Sequence, residues 1–257
     1  MKIYELTYQK NIRDLGGLLG YNGLHIKSGR LFRGGSLHKV SDDDVKVIDS
    51  FHLTDIIDFR SSEEYNNRPD YRFNGVTYHN LTTFEHEGKK EDKSYEDGNL
   101  LWFIDEGNDG YKHLKKTYVD LVSSSEGQKA YRDMFSILME DDKRTTYFHC
   151  SQGKDRAGLA AYFIEKALGV SDDDIMKDYL LSNIAMEKRT QTLINSVKDK
   201  PFYNDEYHQS LLDVFSAKEE YLTDAIKYIN DKYESVEKYL TDVLNVDLEK
   251  FRKLYLE

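Results

Sequence analysis

The sequence contains one cysteine and two prolines among its 257 residues. A single cysteine cannot form an internal disulfide, so the disulfide framework of small secreted domains is excluded. It also cannot supply a cluster of thiolate zinc ligands or a redox pair of cysteines. Long apolar runs are missing as well, because no stretch approaches the roughly 18–20 residues that span a bilayer. The sequence therefore predicts neither a disulfide-stabilised nor a membrane-spanning protein.

Basic residues are in the minority, with 36 Lys and Arg against 47 Asp and Glu and a formal net charge of -11. A protein that coats nucleic acid needs a basic surface for the phosphate backbone, so nucleic acid is not an expected partner. Residues 1–10 mix charged and apolar side chains and lack the core of a signal peptide. We therefore expect a cytoplasmic location, with export by a non-classical route left open.

The chain is predicted to form one continuous domain over residues 1–257, because neither proline marks a proline-rich linker. Runs of β-branched and aromatic residues predict strands at 53–59, 76–81 and 145–149. Helical spacing of apolar residues predicts helices at about 118–139, at 159–168 and from 211 onward. This order predicts an α/β fold in which helices flank a central sheet and a helical C-terminal part, residues 204–257, packs on the core.

Residues 84–115 differ in composition from their surroundings. They are rich in Glu, Lys, Asp and Gly, yet they contain the apolar run LLWFI at 100–104. A polar insertion with one apolar cluster is typical of a lid over a binding site, and a small satellite core is an equal alternative.

One segment combines the lone cysteine with a glycine-containing loop. Residues 150–158 read CSQGKDRAG, between the strand at 145–149 and the next helix pattern. A loop that leaves a strand and enters a helix points several backbone N–H groups at one place, where the helix dipole adds positive potential. That field favours the thiolate of Cys150, and Arg156 offers a planar fork for two phosphate oxygens. The arrangement predicts a phosphate-binding loop with covalent catalysis at Cys150.

These residues also resemble a known family. The pattern C-x5-R in HCSQGKDRAG is similar to the phosphate loop of cysteine-dependent protein tyrosine phosphatases, and more narrowly to the atypical bacterial branch whose loop reads H-C-x-x-G-K-D-R-T-G. Further blocks resemble that branch at 11–17 (NIRDLGG), 27–34 (KSGRLFRG), 58–61 (DFRS), 178–183 (DYLLSN) and 215–256. The resemblance implies a protein-tyrosine-phosphatase-like fold and a hydrolase of phosphomonoesters, with dual specificity in some members.

The resemblance also implies roles for individual residues. Cys150 would be the nucleophile, Arg156 the fork that binds the phosphate, and Asp155 the general acid. The phosphate-binding loop would comprise Ser151, Gln152, Gly153, Lys154, Ala157 and Gly158. His149 would order this loop, and in this branch the loop lysine is associated with lipid or more highly phosphorylated substrates. No metal or cofactor is expected, because the loop amides and Arg156 neutralise the phosphate.

Three carboxylates are candidates for the general acid. Other relatives carry it on a separate Trp-Pro-Asp loop, which this sequence lacks. Asp155 stands between two cationic residues, which disfavour a protonated carboxyl, although a bound phosphate dianion would favour it. Asp58, at the end of a predicted strand, is the alternative, and Asp70 is a third candidate. Asp58 and Arg60 together would form a second loop at the substrate.

One residue departs from the family pattern at the site itself. Ala157 stands where the family has Thr or Ser, whose hydroxyl hydrogen-bonds the departing thiolate when water hydrolyses the phosphocysteine. Its absence predicts a burst of product followed by a slow steady state.

The leading hypothesis is therefore a phosphatase acting on phosphotyrosine-containing proteins or other phosphomonoesters. The alternatives are a phosphoinositide phosphatase of the same mechanism, which the acidic net charge disfavours at anionic membranes, and a catalytically weak phosphate-binding protein.

Overall fold

The structure is a computed structural model that describes residues 2–84 and 109–257. At its centre lies a six-stranded mixed sheet with the strand order β1-β2-β3-β6-β4-β5. The strands β3, β6, β4 and β5 run parallel, and β1 and β2 add two antiparallel strands at one side. The strand bounds are β1 Lys2–Tyr4, β2 Ile12–Asp14, β3 Leu31–Gly34, β4 Asp55–Asp58, β5 Thr77–Asn80 and β6 Thr146–His149.

Helices cover both faces of the sheet, and every described element after β6 is helical. A 3-10 turn lies at Tyr21–Gly23, and the short α9 continues into a π-helical turn at Tyr239–Val243. The α-helices are α1 Asp42–Asp49, α2 Ser62–Asn67, α3 Gly110–Ser123, α4 Ser125–Leu138, α5 Arg156–Ala167, α6 Asp172–Val197, α7 Asp205–Phe215, α8 Glu219–Tyr233, α9 Val236–Lys238 and α10 Leu248–Tyr255. The prediction of a mixed α/β fold with a helical C-terminal part is confirmed.

The two sides of the sheet bury different sets of apolar side chains, because successive residues of a strand point to opposite faces. In β6, Tyr147 joins a small cluster with Phe32 and Ile56, against which α1 packs. Its neighbour Phe148 joins the large cluster that contains side chains from the helices α3 to α10. Helices on both faces are the usual cover for a mostly parallel sheet, and they bury both faces of its central strand.

The three predicted strands are confirmed, each one to three residues shorter than the apolar run that predicted it. The single helix predicted at 118–139 is wrong, because two helices, α3 and α4, meet at Ser124. The backbone of Ser124 is extended, and its hydroxyl accepts a hydrogen bond from the N–H of Gly127 as the N-cap of α4. Apolar periodicity continues across such a junction, so it does not reveal the break.

The predicted lid insertion falls largely outside the described residues, since residues 85–108 are not among them. The C-terminal part of its predicted range, from Gly110 onward, is the beginning of α3. Among the described residues, no helix is both long enough and apolar enough to cross a lipid bilayer.

Candidate active site

The carboxyl ends of three parallel strands meet at one edge of the sheet. The last residues of β3 and β4, Gly34 and Asp58, are each paired in register with His149, the last residue of β6. Cys150 follows directly, and the loop 150–155 leads into the N-terminus of α5. A ligand crevice is expected at this edge of such a sheet, because the loops that leave neighbouring parallel strands converge there.

The loop needs glycine at residue 153. Gly153 has φ +69°, and a Cβ atom there would lie 2.3 Å from the carbonyl carbon and oxygen of Gly34. The carbonyl of Gly153 accepts a hydrogen bond of 2.9 Å from Nη2 of Arg33. Backbone conformation and close approach to β3 both exclude a larger side chain, so this contact fixes the loop against the sheet.

Cys150 is almost fully buried beneath this loop, with 3% of its surface exposed. The charge of a thiolate at Cys150 would interact with the hydroxyls of Tyr131 and Tyr147. Tyr131 also donates a hydrogen bond of 3.1 Å to the carbonyl of Arg156 at the start of α5. The thiol therefore lies between the aromatic core and the loop that leads into the N-terminus of α5.

The guanidinium of Arg156 is held by Glu64, a residue of α2. Nη1 and Nη2 of Arg156 donate to the two carboxylate oxygens of Glu64 at 2.6 and 3.0 Å. Ser151 joins them, since its hydroxyl donates to Glu64 and accepts from Nη2 of Arg156 at 3.2 Å. Burial opposes ionisation of Glu64, but Arg156 outweighs it and lowers the pKa of Glu64 well below its usual range. The pair is thus ionised, and the carboxylate of Glu64 fixes the edge of the guanidinium formed by Nη1 and Nη2.

Glu64 reaches this position because it also caps its own helix. The hydroxyl of Ser61 accepts from the N–H of Glu64, and the carboxylate of Glu64 accepts from the N–H of Ser61. This reciprocal capping box fixes the start of α2 directly after the segment 58–61. The motif S-x-x-E was visible in the sequence, but its link to Arg156 depends on the tertiary fold.

Asp155 lies at the N-cap position of α5 beside two buried tyrosines. Its Oδ1 accepts a hydrogen bond of 2.9 Å from the hydroxyl of Tyr118, which in turn lies 2.7 Å from the hydroxyl of Tyr179. Burial and the charge of Asp155 raise the pKa of Tyr118 well above its usual range, so Tyr118 stays a hydrogen-bond donor. The side chain of Asp155 is 26% exposed, so it is the accessible carboxylate of the loop.

Lys154 points away from the crevice into the C-terminal helices. Its ammonium donates to the carbonyls of Val214 and Ser216 at 2.7 and 3.0 Å and lies 3.1 Å from Oδ1 of Asp155. The side chain is buried. These contacts join the loop to the end of α7, and the charge of Lys154 acts on the site through Asp155 rather than at the cradle.

Asp58 and Arg60 form a buried ion-pair network with Asp70 and His149. Both carboxylate oxygens of Asp58 accept from Arg60, whose Nη2 also lies 3.1 Å from Asp70. Nε2 of His149 lies 2.9 Å from the other oxygen of Asp70. Burial opposes both charges, yet their mutual attraction raises the pKa of His149 and lowers the pKa of Asp70 to about 2. Arg60 therefore forms ion pairs with both Asp58 and Asp70 beneath the loop.

Three ligand-type atoms of this network, from Asp58, Asp70 and His149, lie within 4.8 Å of one another. The guanidinium of Arg60 bonds both carboxylates and occupies the positive position between them. A metal ion at this place would have to displace the buried side chain of Arg60. The guanidinium of Arg60 already supplies the positive charge that pairs with the two carboxylates.

A second buried network supports the loop from the other side. Asp178 of α6 accepts from Arg13 and Arg33, each at 2.6 Å, and Arg33 continues to the loop carbonyl of Gly153. Asn11 bonds the carbonyl of Gln152 at 3.2 Å. The segments 11–17, 27–34 and 178–183, far apart in sequence, therefore meet behind residues 152 and 153.

Ala157 and Gly158 form the first turn of α5. Ala157 is fully buried. At Gly158 a Cβ atom would lie 3.3 Å from Nη2 of Arg33 and 3.5 Å from the ring of Tyr179, so the helix packs closely there. Glu64 and Tyr118 contact the site but were not among its predicted residues, because no spacing in the sequence connects them to the loop.

A strand that ends in His, a loop that begins with Cys, and an arginine at the start of the next helix are typical of the phosphate-loop class of enzymes. The chain matches the model of the tyrosine phosphatase family over residues 4–257, and it belongs to that family.

Two relatives are similar over most of this chain. A protein of Cupriavidus necator, provisionally named a tyrosine-protein phosphatase, is 32% identical over 186 residues, which are 72% of this chain and 64% of that protein. The triple specificity protein phosphatase PtpB of Mycobacterium tuberculosis is 25% identical over 201 residues, 71% of this chain and 70% of PtpB.

Proposed function

We propose that this protein is a cysteine-dependent phosphomonoester hydrolase that works through a phosphocysteine. The observation that carries the proposal is the constellation of Cys150, the loop amides at the N-terminus of α5, and the guanidinium of Arg156 fixed by Glu64. The loop would bind the phosphoryl oxygens, and the charge that develops on them would be stabilised by donors already in place.

Two displacements complete the proposed reaction. The thiolate of Cys150 attacks phosphorus, the bond to the ester oxygen breaks, and the leaving oxygen takes a proton from a general acid. Water then attacks the phosphorus of the phosphocysteine, and the phosphorus–sulfur bond breaks to release inorganic phosphate and the thiolate of Cys150. The carboxylate that gave up its proton in the first step takes a proton from the attacking water. Because both steps concentrate charge on the phosphoryl oxygens, Arg156 contributes to each.

Asp155 is the proposed general acid. It is a quarter exposed and lies at the mouth of the loop, whereas Asp58 is buried with both oxygens bonded to Arg60. A group that must exchange a proton with substrate and then with water needs access to both. Tyr118 would orient Asp155 through the hydrogen bond to Oδ1 and leave Oδ2 to face the leaving group.

The proposed substrates are phosphotyrosine-containing proteins, with wider specificity at the same site. The name of the relative PtpB, a triple specificity phosphatase, supports this breadth. Phosphoinositides would be a second substrate class, and the formal charge of -11 opposes their presentation on an anionic membrane. The alternative of a weakly catalytic phosphate binder depends on Ala157, which places a methyl group where relatives supply a hydroxyl.

The test is hydrolysis of p-nitrophenyl phosphate by the wild type and by Cys150→Ser, followed by a panel of phosphotyrosine, phosphoserine and phosphoinositide substrates. We expect activity in the wild type and none above background in Cys150→Ser. Rapid-quench trapping of a phosphorylated cysteine should identify the intermediate. A wild type that binds phosphate tightly but turns over no substrate would favour the binder, and equal activity of both proteins would refute the mechanism.

A further inference from the structure

A second cavity lies outside the phosphate loop and is lined by cations. It has a volume of about 450 Å³ and is enclosed by the segment 7–10, the turn after β3, the end of α2 and the second half of α6. None of the residues that line it is Asp or Glu, although acidic residues exceed basic ones in the chain by 47 to 36. Its basic lining residues are Lys10, His38, Lys39, Arg68, Lys188 and Arg189.

These cations have no acidic partner within residues 2–84 and 109–257. Lys10 donates to the backbone carbonyls of Leu6 and Thr7, and the ammonium of Lys39 lies 4.5 Å from the centre of the Tyr8 ring. Elsewhere in the described residues, Lys46, Lys116 and Lys129 each pair with an aspartate three or four positions away on the same helix, an arrangement that is missing here. The positive charge of the cavity is therefore not neutralised by the described part of the protein.

The imidazole of His38 reports the resulting potential. Burial lowers the pKa of His38, and the charges of Arg68, Arg60 and Arg189 lower it further against the opposing effect of Asp70. The positive charges of these residues therefore affect the electrostatic potential inside the cavity as well as at the surface that faces solvent. Because mutual repulsion of unpaired cations is unfavourable, an anion bound among them would be stabilised.

The cavity adjoins the catalytic loop without being part of it. The N–H of Ser36 donates to the carbonyl of Ser151, and Asn11 bonds both the carbonyl of Gln152 and the hydroxyl of Ser182. From Ser182, α6 advances seven residues to Arg189, which is about 10 Å along a helix axis. A group in the cavity would therefore lie about 10 Å from the outer side of the loop and leave the phosphate cradle free.

We propose that this cavity is a second phosphate-binding site. Guanidinium forks from Arg68 and Arg189 suit the oxygens of a phosphate, and the ammonium group of Lys188 adds a further positive charge to the lining. The phosphate is either the second phosphoryl group of a doubly phosphorylated substrate or free inorganic phosphate that acts on the enzyme. The site goes beyond the proposed hydrolase activity, which needs only the catalytic loop.

The test compares the double variant Lys188→Glu/Arg189→Glu with a control of equal charge change, Lys227→Glu/Lys250→Glu, on exposed positions of α8 and α10. The first arm titrates inorganic phosphate calorimetrically and counts sites. The second arm compares kcat/KM for two peptides, one with phosphotyrosine alone and one with an added phosphoserine three residues away, since three extended residues span about 10 Å. Thermal unfolding verifies that both double variants are folded.

Two phosphate sites in the wild type and the control, but one in Lys188→Glu/Arg189→Glu, would assign the cavity to free phosphate. A preference of roughly tenfold for the doubly phosphorylated peptide, lost only in that variant, would assign it to the substrate, because one or two charge-assisted hydrogen bonds correspond to about that factor. If neither the count nor the preference differs between the two double variants, the proposal is wrong. The number of bound phosphates can be measured even if no peptide is hydrolysed. A failure of the proposed hydrolase activity is therefore distinguishable from a failure of the proposed second phosphate site.

Discussion

Replacing Glu64 with glutamine tests whether the fixed guanidinium of Arg156 is needed for catalysis. The change keeps the size of the side chain and one carbonyl acceptor but removes the charge that pairs with Arg156 and one of the two oxygens that bind it. Arg156 would then be buried without its directly paired carboxylate, and Asp58 would be the remaining carboxylate that acts on it at a distance. Its fork would be free to rotate towards Ser151 or the carbonyl of Phe59, which already lies 3.5 Å from Nη1.

The magnitude follows from the burial of the pair. Removing one partner of a buried ion pair costs about 3–5 kcal/mol. The side chains of Arg156 and Glu64 are 11% and 12% exposed, so water and the remaining amide recover part of this loss. We therefore expect the free energy of unfolding to fall by about 2–4 kcal/mol, equivalent to a decrease in Tm of roughly 5–12 °C. A misplaced phosphate-binding donor should lower kcat/KM by about 10²-fold.

The assay pairs Glu64→Gln with Glu63→Gln, which makes the same chemical change at the exposed neighbouring position of α2. Thermal unfolding gives Tm, and steady-state hydrolysis of p-nitrophenyl phosphate gives kcat and KM. The control should change Tm by less than about 1 °C, because a single exposed helix-start charge contributes only a few tenths of a kcal/mol. If Glu64→Gln retains the wild-type kcat/KM while its Tm falls, Glu64 is purely structural. If neither quantity changes, the inferred ion pair does not exist in solution.

Three further predictions concern the loop and its support. Ala157→Thr should raise the steady-state rate of p-nitrophenyl phosphate hydrolysis and shrink the initial burst in stopped-flow traces, and an unchanged steady-state rate would contradict the role assigned to the missing hydroxyl. Asp155→Asn should abolish the limb of the pH–rate profile that arises from ionisation of the general acid, and it should lower kcat by about 10²-fold. Asp58→Asn should keep that limb. If the limb survives in Asp155→Asn, Asp155 is excluded as the general acid. Asp70→Asn should destabilise the fold by about 2 kcal/mol in urea titrations, because lowering the pKa of Asp70 from 3.8 to about 2 stabilises the ionised form. Since the pKa of His149 is raised above 6.5, the loss of unfolding free energy should be largest between about pH 4 and 6.5. It should vanish as pH falls towards 2, and it should shrink as pH rises through the pKa of His149. A difference in unfolding free energy that does not depend on pH would refute the pairing of Asp70 with His149.

The loop and its strand could be predicted from the sequence because their signals are local. A β-branched and aromatic run before Cys150, the glycine at residue 153 and the apolar helix after Arg156 are contiguous, and each depends on backbone conformation rather than on distant contacts. The helix starts at Ser41, Ser61 and Ser171 are equally local, since a cap bonds an amide three residues away.

The break at Ser124 and the strands at the N-terminal side of the sheet were not predicted. The strands β1 and β2 have three residues each, and β2 carries Arg13 and Asp14, so neither shows an apolar alternation. β1 pairs with β2 and β2 pairs with β3, and these ladders supply the hydrogen bonds that define both strands. A short polar segment becomes a strand only when a neighbour is present, and periodicity contains no information about that neighbour.

By itself, the sequence excluded an internal disulfide, determined the mixed α/β class of the fold, and predicted a phosphate-binding loop with Cys150 as its nucleophile. Tertiary structure decided which charges pair. It brought Glu64 to Arg156, Tyr118 to Asp155 and Asp178 to two arginines, and it turned Lys154 away from the cradle. The physical reason is range: capping and turn formation act over three or four residues, whereas an ion pair depends on where separate elements meet in the fold. The same reason explains how a chain of net charge -11 gathers cations that have no acidic partner among the described residues in one cavity near the loop at residues 150–155.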